Sequence, residues 1–288
     1  MPADAFSWQP HPDAWLLAVA LVGGYLYTLS AWGPSHAPGR QAATAHQRLC
    51  FFAGVAVLWI ASDWPIHGIA EDYLFSVHMV QHMLFLYAAP PLLILGTPGW
   101  LWRRLLRPAP VWSTARLLTK PLVALVTVNA FIAATHWPAV VDASVRVAAF
   151  HLALHVATVV LGVVLWWPVL SPLPELPHLT YPGRMAYLFA HSIVPTVPAS
   201  FLTFSEGPLY PAYAEAPRLW AFMTVIEDQQ IAGLLMKIGG GLILWGTIAV
   251  LFFRWASESE SGGPDALYWR DLQGDTEAAT LQSTTRTE

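Results

Sequence analysis

Long apolar blocks, separated by short polar connections, constrain this chain more than any other feature. Each block has about 20 residues, the length of an α-helix that spans the hydrocarbon core of a bilayer. Hydrophobic residues make up 56% of the 288 residues and charged residues only 11%, whereas soluble domains usually carry about 25% charged residues. The sequence therefore predicts an all-α, polytopic membrane helical bundle of about seven transmembrane helices, with the lipid bilayer as its surroundings.

The blocks also predict the organisation of the chain. The predicted spans are 14–32, 49–65, 73–95, 121–137, 147–169, 183–204 and 229–253. Together they form one transmembrane domain, 14–256, which follows a short outer N-terminal segment, 1–13. Residues 257–288 are rich in Ser, Thr, Glu, Gly and Asp. Because this composition favours disorder, we predict a disordered cytoplasmic tail there.

The basic residues predict the orientation, because cytoplasmic loops of membrane proteins carry an excess of Lys and Arg. Of the 14 Lys and Arg residues, eleven lie on one side of the predicted topology. Arg146 and Arg218 lie on the other side, and Lys237 lies within the last span. This distribution predicts a multi-pass protein of the cell (inner) membrane, with its N-terminus outside and its C-terminus in the cytoplasm.

Charge and cysteine content exclude two kinds of binding. The formal net charge is -4 and there is no basic tail, so we predict no nucleic-acid partner. The single cysteine, Cys50, excludes an internal disulfide and any site built from several thiolates. A metal bound to this chain must therefore have nitrogen, oxygen or thioether ligands.

Histidines recur near the predicted outer ends of several spans. His78 and His82 are four residues apart, so they lie one turn apart on the same face of a helix. His151 and His155 repeat this spacing in another span, and His136 lies at the end of a third. Alternating helix directions bring all five to within about 15 Å of the outer boundary. Because ionisable groups inside a membrane are costly, this shared depth indicates a functional site.

Two imidazoles at this spacing can bind one cation, and a second pair can complete its coordination. The predicted metal ligands are His78, His82, His136, His151 and His155. Weaker candidates, as ligands or as groups that orient an imidazole, are Asp63, His67, Asp228, Met83 and Met236. Neutral imidazole suits copper, zinc, nickel and haem iron, and thioether sulfur favours Cu(I). These residues alone leave the metal open.

Two other functions stay open. Histidines on opposing helices would suit a b-type haem in a membrane electron carrier, although a second haem would lack a histidine pair at the inner end. A metal or proton transporter would need a polar path through the inner half, where the sequence offers only His191 and Lys237. No grouping of nucleophile, base and oxyanion donor stands out, so we predict that the chain is not an enzyme.

A series of short motifs follows the histidines along the chain. They are HMVQHM at 78–83, PPLLILG at 90–96, HWP at 136–138, the pair His151 and His155, WWP at 166–168, LTFSEGPLY at 202–210 and DQQIAGLLM at 228–236. In this order they resemble the CtaG family of cytochrome c oxidase assembly proteins, associated with caa-type oxidases. The resemblance covers about 49–253. Two positions depart from the family: Leu154 replaces an expected acidic residue, and Lys237 an expected aromatic residue.

The resemblance implies a membrane assembly factor that acts as a metallochaperone and helps to mature the copper centre of a haem–copper oxidase. It implies that the histidine cluster binds copper, as Cu(I) or Cu(II), and makes haem b the less favoured ligand. It also implies cytochrome c oxidase subunits and a periplasmic copper donor as partners. The two departures bear on metal affinity, because Leu154 removes a further ligand and Lys237 places a cation near the site.

Overall fold

The structure is a computed structural model that describes residues 6–36 and 41–260. Every regular element in this part of the chain is a helix, so the all-α prediction is confirmed. Six helices are long and apolar enough to cross a membrane, and a bent pair makes a seventh if it counts as one span. The predicted number of about seven is therefore confirmed, and the orientation of the termini stays a prediction.

We number the eight principal helices in chain order. They are α1 (Pro12–Ala31), α2 (Ala45–Asp72), α3 (Phe75–Gly96), α4 (Ala109–Leu118), α5 (Pro121–Thr135), α6 (Ala148–Leu170), α7 (Tyr181–Phe204) and α8 (Val225–Glu260). The short helices between them are Gly33–His36, Gly99–Leu105, Pro138–Arg146 and Pro211–Glu215. The bent pair is α4 and α5, which meet at 86°.

Four of the long helices are interrupted. α2 consists of Ala45–Ser62 and Ile66–Asp72, and α7 of Tyr181–Ile193 and Thr196–Phe204. α3 and α8 each contain a π-helical turn, at Leu84–Ala88 and Leu235–Gly239. Pro65 and Pro195 lie at the two breaks, where proline lacks the N–H that a continuous helix needs.

The structure differs from the predicted boundaries at two places that matter. The second predicted span ended at Pro65, but the helix resumes at Ile66–Asp72 and carries His67. The helix α8 ends at Glu260, so it includes the first four residues of the predicted tail. The rest of that tail, 261–288, lies outside the described residues, as do residues 1–5 of the predicted N-terminal segment.

A glycine allows the two histidine-bearing helices, α3 and α6, to approach closely. A Cβ added at Gly162 of α6 would lie 2.5 Å from Pro90 Cγ and 3.0 Å from the Leu86 carbonyl oxygen, both on α3. Small residues permit such contacts between membrane helices. His82 lies one turn before Leu86, and His155 lies two turns before Gly162. The histidines of α3 and α6 therefore face each other across this contact.

The largest apolar cluster fills the other half of the same helix pair. Its buried members include Ile94 of α3, Leu165 and Trp166 of α6, Leu188 of α7 and Leu244 of α8. The bundle thus has an apolar half, and a half in which imidazoles are buried.

Candidate metal centre

Three imidazoles meet near the first turns of α3 and α6. His78, His82 and His155 each offer a ring nitrogen such that all three atoms lie within 4.8 Å of one another. His78 and His155 are buried and His82 is half-buried. The ring centroids are 4.3 Å apart for His78 and His82, 5.3 Å for His82 and His155, and 6.1 Å for His78 and His155. We call these three residues the trio.

Two nitrogens of the trio have no hydrogen-bond partner in the part of the chain that the structure describes. His78 Nδ1 and His155 Nε2 are buried and make no hydrogen bond within the described part of the chain. An unpaired buried polar group costs about 1–3 kcal/mol, so native proteins usually provide a partner. Imidazole nitrogens bound to one ion at about 2.0–2.1 Å lie about 3.3 Å apart in a tetrahedral site. The trio therefore fits a metal ion after small side-chain movements.

His136 presents a further nitrogen. It follows the last residue of α5, and its Nδ1 lies 2.7 Å from the Ile132 carbonyl oxygen. Because a carbonyl only accepts, Nδ1 carries the proton and donates it, which leaves a lone pair on Nε2. That Nε2 is buried and has no hydrogen-bond partner among residues 6–36 and 41–260. Metal-ligating histidines are commonly oriented in this way, by a backbone carbonyl on the other nitrogen.

All five predicted ligands line one small cavity. They are His78, His82, His136, His151 and His155. The cavity has a volume of about 20 Å³, which is room for about one water-sized species. The ring of His151 lies 4.0 Å from that of His155 and 5.7 Å from that of His78. His136 and His151 thus border the space of the trio without belonging to its close set of nitrogens.

A second cavity, of about 40 Å³, adjoins the first and contains the thioethers. Its lining includes Met79, Met83 and Met236, together with His82 and His136. Met83 and Met236, two of the weaker candidates, therefore lie beside the imidazoles rather than among the trio. Because thioether sulfur favours Cu(I), this neighbourhood suits the reduced ion.

Asp228, another weaker candidate, supports the helix that carries His78. Its Oδ2 accepts a hydrogen bond from the Phe75 N–H at 2.8 Å, and its Oδ1 accepts one from the Ser76 N–H at 3.1 Å. These N–H groups belong to the first turn of α3, where helices lack internal acceptors and favour negative charge. Asp228 therefore fixes the start of α3, three residues before His78.

Asp63 is engaged elsewhere. Its Oδ2 accepts a hydrogen bond from Trp15 Nε1 at 2.6 Å, which joins the break in α2 to α1. Its Oδ1 is buried and unpartnered within the described residues. The structure does not place Asp63 among the imidazoles that line the cavity.

His67, the remaining candidate, lies in a polar chain beside the trio. Gln81 Nε2 donates to the His67 Nδ1 at 2.9 Å and to the Ala61 carbonyl oxygen at 2.7 Å. His67 Nε2 lies 3.0 Å from Glu71 Oε1, and the same oxygen lies 3.0 Å from His151 Nε2. This chain joins α2, α3 and α6 through side chains at one end of the bundle.

Sequence reasoning missed Glu71 and Gln81 as site residues. Glu71 follows His67 by four residues, a spacing that puts both on one helical face, but the predicted second span ended at Pro65. Gln81 lies inside the HMVQHM motif, between the two histidines of α3. Its buried position and its bond to His67 follow from helix packing rather than from spacing.

The segment after α7 covers this end of the bundle. The Tyr210 hydroxyl donates to the His136 carbonyl oxygen at 3.0 Å, and the Tyr213 hydroxyl donates to the Ala70 carbonyl oxygen at 3.0 Å. Burial raises the pKa of the Tyr213 phenol well above its ordinary value, so it remains a proton donor. The Tyr213 ring lies 6.1 Å from that of His78. The trio is therefore shielded by aromatic side chains.

Fold and site together define a class: a multi-pass helical membrane protein with an imidazole cluster able to hold a metal ion. Residues 23–258 match the family described as cytochrome c oxidase caa3 assembly factor, Caa3_CtaG. The chain belongs to this family, and the resemblance seen in its motifs is confirmed.

Two similar proteins come from mycobacteria. They are the uncharacterized protein Mb0105 of Mycobacterium bovis and the uncharacterized protein MT0111 of Mycobacterium tuberculosis. Each is 28% identical over 228 residues, which cover 73% of this chain and 34% of the relative. The chain thus spans about a third of the length of these relatives. No solved structure matches it.

Proposed function

We propose that this protein binds copper at the trio and helps to mature the copper centre of cytochrome c oxidase. The observation that supports this most is the convergence of three imidazoles, two with unpartnered buried nitrogens, in a member of an oxidase assembly family. Imidazole is a good ligand for copper. In this proposal copper is cargo to be passed on, so the role is non-catalytic.

The surrounding residues have distinct parts in this proposal. His78 and His82 of α3 and His155 of α6 hold the ion, and His136 approaches as a fourth donor through its free Nε2. The thioethers of the adjoining cavity offer soft ligands, which would allow Cu(I) as well as Cu(II) to be held. Gly162 keeps α3 and α6 close enough for both to contribute ligands.

The proposed site faces the periplasm. The distribution of basic residues supports a topology in which α3 and α6 both begin at the outer face. His78 and His151 each come three residues after the first residue of their helix, about 5 Å along the axis. A shallow outward site of this kind would take copper from a periplasmic donor and pass it to oxidase subunits.

The sizes of the cavities favour an ion over a b-type haem. The two cavities lined by the histidines measure about 20 and 40 Å³, whereas pockets for organic ligands usually measure about 300–1,000 Å³. A haem would have to separate α3 from α6, which are in close contact at Gly162.

The hydrogen bonds of His191 and Lys237 favour binding over transport. His191 Nδ1 accepts a hydrogen bond from Asn129 Nδ2 at 3.0 Å, which ties α7 to α5. Lys237 Nζ donates to Thr196 Oγ1, which ties α8 to α7. A transporter would need these groups on one continuous path, and each is instead paired with a different neighbour.

Copper loading of the purified full-length protein tests the proposal. The wild type, incubated with Cu(I) or Cu(II) and desalted, should retain one ion per chain, and the His78→Ala/His82→Ala/His155→Ala variant none. In a host that lacks its own copy, the wild type should restore copper to the oxidase and the triple variant should not. Copper retained at the wild-type level by a folded triple variant would contradict the proposal.

A further inference from the structure

We propose that Glu71 and His151, held by His67, form a second cation site through which the ion passes on its way to the trio. We call it the rim site. The inference rests on the proposed function, since the trio is the destination of the ion. The predicted occupant is a divalent ion such as Cu(II), because the donors are a carboxylate oxygen and an imidazole nitrogen.

The contact between Glu71 and His151 has the spacing of two ligands of one ion. Glu71 Oε1 lies 3.0 Å from His151 Nε2. That nitrogen is buried and makes no hydrogen bond within the described residues, so the contact is not aligned for one. An oxygen and a nitrogen that each lie about 2.0–2.1 Å from the same ion are about 3.0–3.4 Å apart. An ion between them would satisfy both.

His67 has the role of orienting the carboxylate. An amide nitrogen only donates, so the 2.9 Å contact from Gln81 Nε2 makes the His67 Nδ1 an acceptor. The second bond of Gln81 Nε2, to the Ala61 carbonyl oxygen, fixes the orientation of the amide. The proton of a neutral His67 is therefore on Nε2, which lies 3.0 Å from Glu71 Oε1, four residues further along the same helix. His67 thus positions Glu71 without competing for the ion.

Exposure decreases within the rim site, from Glu71 to His151. The side chain of Glu71 is 36% exposed and that of His151 is 8% exposed. The His151 ring lies 4.0 Å from that of His155, a member of the trio. An ion bound by Glu71 and His151 therefore moves only by about the spacing of these two adjacent rings to reach His155. His151 is the link, since it lines the cavity of the trio and contacts Glu71.

Glu71 gives the rim site a negative charge, which the three imidazoles of the trio lack. The carboxylates of Asp63 and Asp228 are engaged with Trp15 and with the start of α3. Glu71 contacts the imidazoles of His67 and His151, and its charge attracts cations to the opening. With two protein ligands and water for the remainder, the site would bind weakly, as a transfer step requires.

Copper loading followed in time tests the rim site. In wild-type protein titrated with Cu(II), electron paramagnetic resonance should show a weaker second ion with mixed nitrogen and oxygen ligation. Glu71→Gln keeps the size of the side chain, and it should abolish this signal and slow the filling of the trio at least tenfold. The final copper content of the trio should stay unchanged. His151→Gln removes the other donor and should also abolish the second signal.

Asp72→Asn is the matched control, because it removes the same charge from the adjacent, exposed residue. It should load within about twofold of the wild-type rate, as expected for a screened surface charge. Wild-type kinetics in Glu71→Gln would overturn the rim site and leave the trio intact. Equal slowing in both variants, or a lower final copper content in Glu71→Gln, would also overturn it. A wild-type protein that binds no copper would overturn the proposed function itself.

Discussion

The two halves of the α3–α6 helix pair bury their polar side chains in different ways. In the apolar half, the buried side chains of Trp166 and Tyr187 both donate to backbone carbonyls. Trp166 Nε1 donates to the Leu86 carbonyl oxygen at 3.2 Å, and the Tyr187 hydroxyl donates to the Leu165 carbonyl oxygen at 2.9 Å. These bonds join neighbouring helices, α3 with α6 and α6 with α7.

In the other half, several imidazole nitrogens converge on one cavity without a hydrogen-bond partner among the described residues. They belong to His78, His136, His151 and His155. His191 also has an unpartnered Nε2, but it lies outside this cavity. Burial of a polar group therefore does not by itself mark a site. Several unpartnered imidazole nitrogens around one cavity do mark a site, because a single bound ion can satisfy them together.

The largest expected effect comes from removing one member of the trio. His82→Ala should weaken copper binding at least 100-fold, about 2.7 kcal/mol, because the ion loses one of three close nitrogens. A competition titration against a chelator measures this loss. His191→Gln, which changes a buried histidine outside the cavity, should leave the affinity at the wild-type value. Equal losses in both variants would mean that general destabilisation, not ligation, sets the affinity.

Enlarging the glycine at the α3–α6 contact should have the next largest effect. Gly162→Leu should destabilise the fold by about 1–3 kcal/mol, because the added atoms collide with Pro90 and the Leu86 carbonyl. Thermal unfolding in detergent measures this change. Gly246→Leu is the control, since a Cβ there has no heavy atom within 4 Å, and it should unfold like the wild type. Similar unfolding of both variants would contradict close packing at Gly162.

Removing the fourth nitrogen should have a smaller effect on copper. His136→Ala should lower the affinity about tenfold, about 1.4 kcal/mol, while one ion per chain is still retained. The same chelator competition measures it, with His178→Ala as a control at an exposed residue. An unchanged affinity would show that the trio alone holds the ion.

The smallest expected effect comes from a substitution in the apolar half. Tyr187→Phe should cost about 1 kcal/mol of stability, because one buried hydrogen bond is lost. Copper affinity should not change. Tyr27→Phe, at a side chain that is 63% exposed, should change neither quantity. A loss of copper in Tyr187→Phe would mean that the two halves are coupled and do not differ in the way described.

Helical spacing was sufficient to predict part of this architecture. The separation of four residues in each histidine pair placed His78 with His82 and His151 with His155 on common faces. The apolar blocks predicted the number of spans to within the bent pair of α4 and α5. Both predictions depend on local periodicity, which sequence displays directly.

Other features depend on contacts between distant residues, which periodicity does not display. Asp228 was predicted near the site, but its bonds to the first turn of α3 join residues more than 150 positions apart. The proton position on His136 depends on a hydrogen bond to Ile132. Glu71 was missed because α2 resumes after Pro65, and a proline is normally a signal that a helix ends.

X-ray absorption at the copper edge of the copper-loaded full chain tests whether the trio holds the ion. We expect the copper ion to be surrounded by three or four imidazole nitrogens at about 2.0 Å. The His82→Ala variant should have one nitrogen fewer. A shell dominated by sulfur at about 2.3 Å would place the ion among the methionines and contradict the trio as the site. Protein that retains no copper for the measurement would contradict the claim as well.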